Sequence, residues 1–149
     1  MANRYGLTIR AADAGDADGL VELLRAAGVD APRESLALRL AAMRDQPGAV
    51  LIADAWGPPA GVIAVHWSAR LTAALKVAEV TFLLVDPDRR RSGVARLLLK
   101  SASQAARTAG CGDLTLAAGP PHPDLQAFAL ATGFTPTTTR LTRSLRKQG

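Results

Sequence analysis

A mixed α/β fold in a single domain is predicted by three features of this chain. Short apolar or alternating blocks that suit strands are interleaved with segments whose apolar residues recur at helical spacing. A length of 149 residues suits one domain, large enough to bury roughly two thirds of its unfolded surface. At Leu83–Lys100 (LLVDPDRRRSGVARLLLK) an apolar strand passes through a basic, glycine-bearing turn into an amphipathic helix.

Along the chain, Gly6–Ala11 alternates and is expected to be the first strand. Asp13 or Asp16 then offers an N-cap to a helix carrying Leu20, Leu23, Leu24 and Ala27 on one side, with Gly28 as its stop. Pro32 suits the start of a second helix, whose stripe is Leu36, Leu40 and Met43. Val50–Ala55 and Gly61–Ser68 read as strands joined through the turn at Gly57–Pro59. The next strand spans about Val77–Val85, and its second half, Val80–Val85, reads as buried on both faces. Pro87 ends the ladder because it has no N–H to donate.

A helix from near Ser92 places Val94, Leu97, Leu98, Ala102, Ala105 and Ala109 against the sheet. Gly110–Gly112 interrupts the chain before a fifth strand at Leu114–Ala118. Pro120, Pro121 and Pro123 lead into a short helix near Asp124–Ala131 that closes at Gly133. The threonine-rich Phe134–Leu145 is expected to supply one or two last strands, with Pro136 restricting where the first can pair. The resulting order is β-α-α-β-β-β-α-β-α-β, without repeat, linker or low-complexity segment.

The strand–turn–helix at Leu83–Lys100 has the chemistry of an anion site. A helix that starts near Ser92 directs unpaired N–H groups and the positive end of its dipole out of the turn. Gly93 permits φ > 0 or close backbone approach, and Arg89, Arg90 and Arg91 add positive charge. The expected guest carries clustered negative charge, most simply a diphosphate. Rossmann units and P-loops share this mechanism, but neither GxGxxG nor GxxxxGK[ST] occurs in the chain.

The segment resembles the acyl-CoA motif of the GNAT acyltransferase superfamily, roughly V-x-P-x-x-[QR]-x-x-G-x-[GA]. Val85, Pro87, Arg90, Gly93 and Ala95 match it in order, and Gly133–Phe134 is a supporting mark. The resemblance covers nearly the full length. It implies a central, mostly antiparallel sheet with splayed fourth and fifth strands, flanked by helices. It implies acetyl-CoA as cosubstrate, with the diphosphate on Arg90, Arg91, Ser92, Gly93, Val94 and Ala95. The main chain of Leu83, Leu84 and Val85 would pair with the pantetheine arm and polarise the thioester oxygen.

Glu79 lies six positions before Val85, the spacing at which the histone-acetylating branch of the superfamily carries its general base. A base matters more than an acid here. Presenting a lysine-like amine (pKa about 10.4) in its neutral form at pH 7 costs about 4.6 kcal/mol, whereas a thiol leaving as thiolate (pKa about 8.5) faces about 2 kcal/mol. Many members carry a tyrosine acid in the last helix, but Ala129 stands at that position in this chain. A noncatalytic acyl-CoA-binding domain is therefore the alternative to an N-acetyltransferase. His122 stands where the family has an asparagine that contacts the cofactor. It is a candidate for cofactor contact or, as an imidazole titrating near neutrality, for acid or base duty. His66, on an otherwise apolar strand, reads as a structural histidine, and Cys111 as an inert small residue.

Acceptor specificity in the superfamily comes from the first two helices and the loop after the third strand, here Asp13–Asp45 and Ser68–Lys76. Asp30 and Glu34 would attract a cation, Arg33 and Arg39 a carboxylate, and Trp67 either walls the site or packs in the core. Small metabolites, antibiotics and peptides all remain open as amine acceptors, and a homodimer is compatible with the sequence.

The remaining properties exclude other classes. The net charge of +5 admits nucleic acid, a membrane surface or a small polyanion, but aromatics are only 4% of the chain and leave few rings to stack bases. The second basic cluster, at Arg140, Arg143, Arg146 and Lys147, reads as a solvated end. No apolar run approaches the ~20 residues that span a bilayer, and the opening MANRYGLTIRAAD lacks a signal core. One cysteine precludes an internal disulfide, consistent with a cytoplasmic protein. Two histidines and one cysteine far apart give no zinc spacing.

Overall fold

The structure, a computed structural model, describes residues 6–89, 92–118, 123–137 and 140–147. They fall in two compact units, 1–117 and 118–149. The first unit holds strands β1 (Thr8–Ala11), β2 (Gly48–Asp54), β3 (Gly61–Ser68), β4 (Lys76–Val85) and β5 (Cys111–Leu116), with helices α1 (Ala17–Ala26), α2 (Arg33–Arg44) and α3 (Val94–Thr108). The second holds α4 (Pro123–Ala131). No helix among the described residues is long and apolar enough to cross a membrane.

The sheet runs β1-β2-β3-β4-β5. Its first four strands are antiparallel, and β5 joins β4 in parallel, as a strand must when a helix carries the chain back. Strand alternation splits the core into two layers. On one face Ile63, Val65, Ala78 and Val80 meet the four-residue stripe Val94, Leu98, Ala102 and Ala106 of α3. On the other, Ile52 and Val62 meet Leu20, Leu23 and Leu40 of α1 and α2. Each buried valine, leucine or isoleucine among these contributes about 1.5–3 kcal/mol of transfer free energy, and each alanine less. The expected stripe of α3 is present, with Ala106 in the contact row that the sequence assigns to Ala105 and Ala109.

Three expectations change, the first being the fifth strand, which runs Cys111–Leu116 and so takes in Gly112, expected in the break before it. Val80–Val85 is not buried on both faces: Thr81 and Phe82 are exposed, Phe82 to 42%. The cause is local, because β5 pairs only with Lys76–Val80 and leaves the rest of β4 without a neighbour on that side. No strand forms over 134–137 or 140–147. Pro136 removes a ladder donor there, and Leu141 and Leu145 are 90% and 85% exposed, so the segment buries no apolar face that would hold it in a sheet.

The end of β1 is fixed by charge. Asp13 caps a 3₁₀ turn at Ala14–Asp16, and Asp16 closes the capping box by accepting from the Asp13 N–H at 2.9 Å. The Arg10 guanidinium donates to both Asp16 carboxylate oxygens at 2.6 and 3.0 Å and to Asp54 at 3.1 Å, tying β1 to the turn and to β2. These bonds from Arg10 hold the Asp16 carboxyl below its ordinary range, against the opposing effect of burial. A carboxyl so depressed stabilises the fold above its unfolded pKa, about 3.9, and loses that contribution as the pH falls through its folded value. Asp16→Ala is expected to cost about 2 kcal/mol near neutrality, from the lost cap and charge-assisted bonds. Thermal melts at falling pH should show the gap between variant and parent closing below about pH 4, and a gap unchanged at pH 2.5 would refute the assignment.

Candidate functional site

The site is built where β4 parts from β5. Between Ala64↔Phe82 and Val65↔Val80 the ladder skips Thr81, so β4 carries an extra residue there. Such a bulge bends the strand and increases its local twist. Beyond it, Phe82–Val85 pairs with β3 on one side and has no strand on the other among the described residues. The predicted splay is therefore present, and it turns main-chain polar groups of Leu83 and Val85 to the open side; those of Leu84, expected to face a ligand as well, point to β3, in phase with the Asp86 N–H that donates to the Ala60 carbonyl at 2.8 Å.

Past Val85 the chain turns through Pro87–Arg89 into α3. Asp86 accepts from the Asp88 N–H at 3.0 Å, and the Ser92 hydroxyl donates to the Arg89 carbonyl, so side chains of the turn close on its own backbone. Gly93 is the N-cap of α3 with φ +86°, and no side chain caps the helix. The first intrahelical bond described there runs from the Leu97 N–H to the Gly93 carbonyl at 3.1 Å. The N–H groups of Val94, Ala95 and Arg96 precede it and have no acceptor within the helix. The first turn carries no acidic residue. An uncapped, fifteen-residue helix with these donors fits a phosphate group.

Gly61 locks the two halves together. A Cβ built on it would lie 2.9 Å from the Leu84 carbonyl oxygen and 3.0 Å from side-chain carbons of both Val94 and Leu98. The open end of β4 and the first turn of α3 thus meet at one glycine. Gly61→Ala is expected to push them apart, costing about 1–3 kcal/mol of stability by overpacking. Acetyl-CoA affinity should fall with it, and calorimetry showing parental affinity would remove Gly61 from the site's framework.

Of the residues singled out in the sequence, Leu83, Leu84, Val85, Ser92, Gly93, Val94 and Ala95 come together in this strand–turn–helix. Arg90, Arg91 and His122 lie outside the described residues. Glu79 is half-buried on β4, two residues before the bulge. It points away from α3, since Ala78 and Val80 on either side belong to the α3 layer. Trp67 packs against that α3 layer, which decides between its two readings in favour of core packing. Arg33 is engaged by Asp18 and is not a free cation for an acceptor. In the second unit, Ala129 is buried in α4, and its carbonyl accepts from the Phe134 N–H at 3.0 Å.

One contributor has no mark in the sequence. Gly61 reads there only as the start of a strand, because a close approach from two other elements has no signature in the local pattern. The register that sets His66 opposite Glu79 is likewise invisible in the local pattern.

Comparison with known proteins accords with this geometry. The sequence model for "Acetyltransferase (GNAT) family" matches residues 17–134. An acetyltransferase of Trypanosoma brucei is 19% identical, with a TM-score of 0.80 over 93% of this chain and 99% of that one. AAC(6')-Iy, solved with the bisubstrate analogue CoA-S-monomethyl-acetylneamine, is 19% identical, with a TM-score of 0.79 over 95% of this chain and 99% of that one. An aminoglycoside acetyltransferase from an uncultured soil metagenomic sample, solved with sisomicin, is 17% identical, with a TM-score of 0.75 over 94% and 97%. At these identities the likeness is one of fold. No curated protein matches the chain in sequence.

Proposed function

Given that the chain belongs to the acetyltransferase (GNAT) family, we propose that it moves an acetyl group from acetyl-CoA to a primary amine by direct attack within a ternary complex. The observation that carries this reading is the open edge of β4 at Thr81–Val85 meeting the uncapped first turn of α3. Main-chain groups of Leu83 and Val85 would hold the pantetheine arm. The N–H groups of Gly93, Val94 and Ala95, with Ser92, Arg90, Arg91 and His122 beside them, would hold the diphosphate. The family match runs through both compact units, so the catalytic domain is taken to be the whole chain.

Glu79 would take the proton that an ammonium must lose before its nitrogen can attack. As the N–C bond forms, the C–S bond breaks and sulfur leaves with the electron pair. One of the two protons shed by nitrogen reaches the carboxylate and the other solvent, while sulfur takes one from water. Ala129 offers no proton. The handicap of about 2 kcal/mol for thiolate departure is small enough to do without a dedicated acid.

The acceptor class proposed is a small-molecule or peptide amine. Two structural neighbours were solved with an aminoglycoside or with an acetylneamine-linked CoA analogue, which supports testing amino sugars first. Calorimetry with millimolar acetyl-CoA should detect binding. Free thiol should then appear faster when sisomicin, glucosamine 6-phosphate or a lysine-containing peptide is added, with the acetylated amine seen by mass spectrometry. Binding without acceleration by any of these amines would turn the reading to a noncatalytic acyl-CoA binder, and no binding at all would overturn both.

A further inference from the structure

Access to the open edge of β4 is set by which face of the strand is already covered. Ala78 and Val80 belong to the core layer beneath α3, and Leu83 and Val85 pack against it. That face is taken. An acceptor amine that is to meet a thioester lying along Phe82–Val85 therefore comes from the opposite face, the one that carries α1 and α2.

On this second face the apolar cover runs out before Glu79 is reached. Val62 and Leu84 oppose each other and join the cluster that includes Leu36, Ala37 and Leu40 of α2. The next rung on the same face is Ala64 and Phe82, which belong to neither core cluster. Ala64 is buried and brings only a methyl group, whereas Phe82 is 42% exposed. β5 gives Phe82 no neighbour, because its ladder with β4 stops at Val80. Thr81 follows as the bulge, and Glu79 occupies the next rung of this face.

Phe82 thus stands between the open end of β4 and Glu79, two to three residue rises or roughly 7–10 Å along the strand from the latter. Its rung holds Ala64 on β3 and Val50 on β2, and no charged side chain. We infer that Phe82 is a specificity-determining residue for the acceptor: its ring is the floor on which the alkyl arm carrying the attacking amine lies. The acceptor class is then a primary amine on an unsubstituted chain of methylenes, as in a lysine side chain, and not an amine set directly on a hydroxylated sugar ring. Methylenes gain by displacing water from the ring, whereas hydroxyl groups pressed there lose hydrogen bonds to water and find no polar side chain on the rung. This inference rests on the reading of acetyl-CoA along β4 and adds the chemistry of the acceptor to it.

The test is a series of straight-chain primary amines, ethylamine, butylamine and hexylamine, given to the full chain with acetyl-CoA. Basicity hardly changes along the series, so differences in kcat/KM report buried methylenes. The parent should gain about two- to fourfold per methylene, the upper figure being full burial, and should acetylate a lysine-containing peptide faster than glucosamine 6-phosphate. Phe82→Ala should flatten the series and lower kcat/KM for hexylamine roughly tenfold or more. Phe82→Leu, which keeps apolar bulk, should retain most of the gradient. Calorimetry on the same variants should show acetyl-CoA affinity falling far less than kcat/KM. A flat series in the parent, a preference for glucosamine 6-phosphate over the peptide, or an equal gradient in parent and Phe82→Ala would overturn the assignment. So would a loss of acetyl-CoA affinity as large as the loss in kcat/KM, since Phe82 would then be holding the strand and not the acceptor. Acetyl-CoA bound with no amine accelerated would instead sink the transferase reading, and this inference with it.

Discussion

Replacing Glu79 with glutamine is expected to lower kcat at pH 7 by about 10²–10⁴-fold, the range a positioned general base supplies. The substitution keeps size and most hydrogen bonding, so KM for acetyl-CoA and the melting temperature should stay where they were. The residual activity should regain what it lost as pH rises. Without a base, the rate follows the fraction of acceptor already neutral, which grows about tenfold per pH unit up to an amine pKa near 10.4. Initial rates from pH 6 to 10 with one amine would check this. A variant whose kcat is parental at pH 7 removes Glu79 from the mechanism.

The second large effect belongs to Gly93. With φ at +86° it occupies a region that a β-branched residue enters only as an outlier. Gly93→Val should force the turn into another conformation and swing the N–H groups of Val94 and Ala95 off target. Losing even one charge-assisted bond, at about 1.5–3 kcal/mol, weakens binding by roughly tenfold or more. Acetyl-CoA affinity by calorimetry should fall at least that far, and kcat at saturating acetyl-CoA should fall much less. Stability should drop by about 1–2 kcal/mol, the cost of a left-handed side-chain-bearing residue. Parental affinity in a folded Gly93→Val protein would mean that the helix N-terminus does not hold the diphosphate.

The two substitutions separate the halves of the site. In the proposed reaction Gly93 would act on binding through backbone direction, whereas Glu79 would act on proton transfer through a side chain. A protein that binds acetyl-CoA through Gly93 but shows no dependence on Glu79 would be a carrier-binding domain without amine chemistry.

Much of this architecture is legible in the residues. Gly61–Ser68 is bounded correctly because a turn of Gly57–Pro59 precedes an unbroken apolar run. The turn at Gly93 is readable because a single glycine between a strand and an amphipathic helix has few other uses. Both depend on chemistry within a few residues. The same local logic fails at Thr81 and Phe82, whose exposure depends on β5 stopping at Leu116. It fails again over Phe134–Leu145, where strand-forming residues occur but no described strand forms. Threonine and leucine permit a strand; a neighbour's edge has to complete it.

What the sequence determined by itself was the order of elements through α4, the helix faces and the glycine turn between β4 and α3, all consequences of period, side-chain size and backbone freedom over short spans. Tertiary structure alone decided which residues stand opposite each other. The bulge at Thr81, the approach of Leu84, Val94 and Leu98 to Gly61, and the rung of His66 and Glu79 depend on how strands slide into register and how closely a helix settles on them. A one-residue slip would put every side chain of a strand on the opposite face. Register is set by the summed packing of the whole sheet, and no local stretch of residues encodes it.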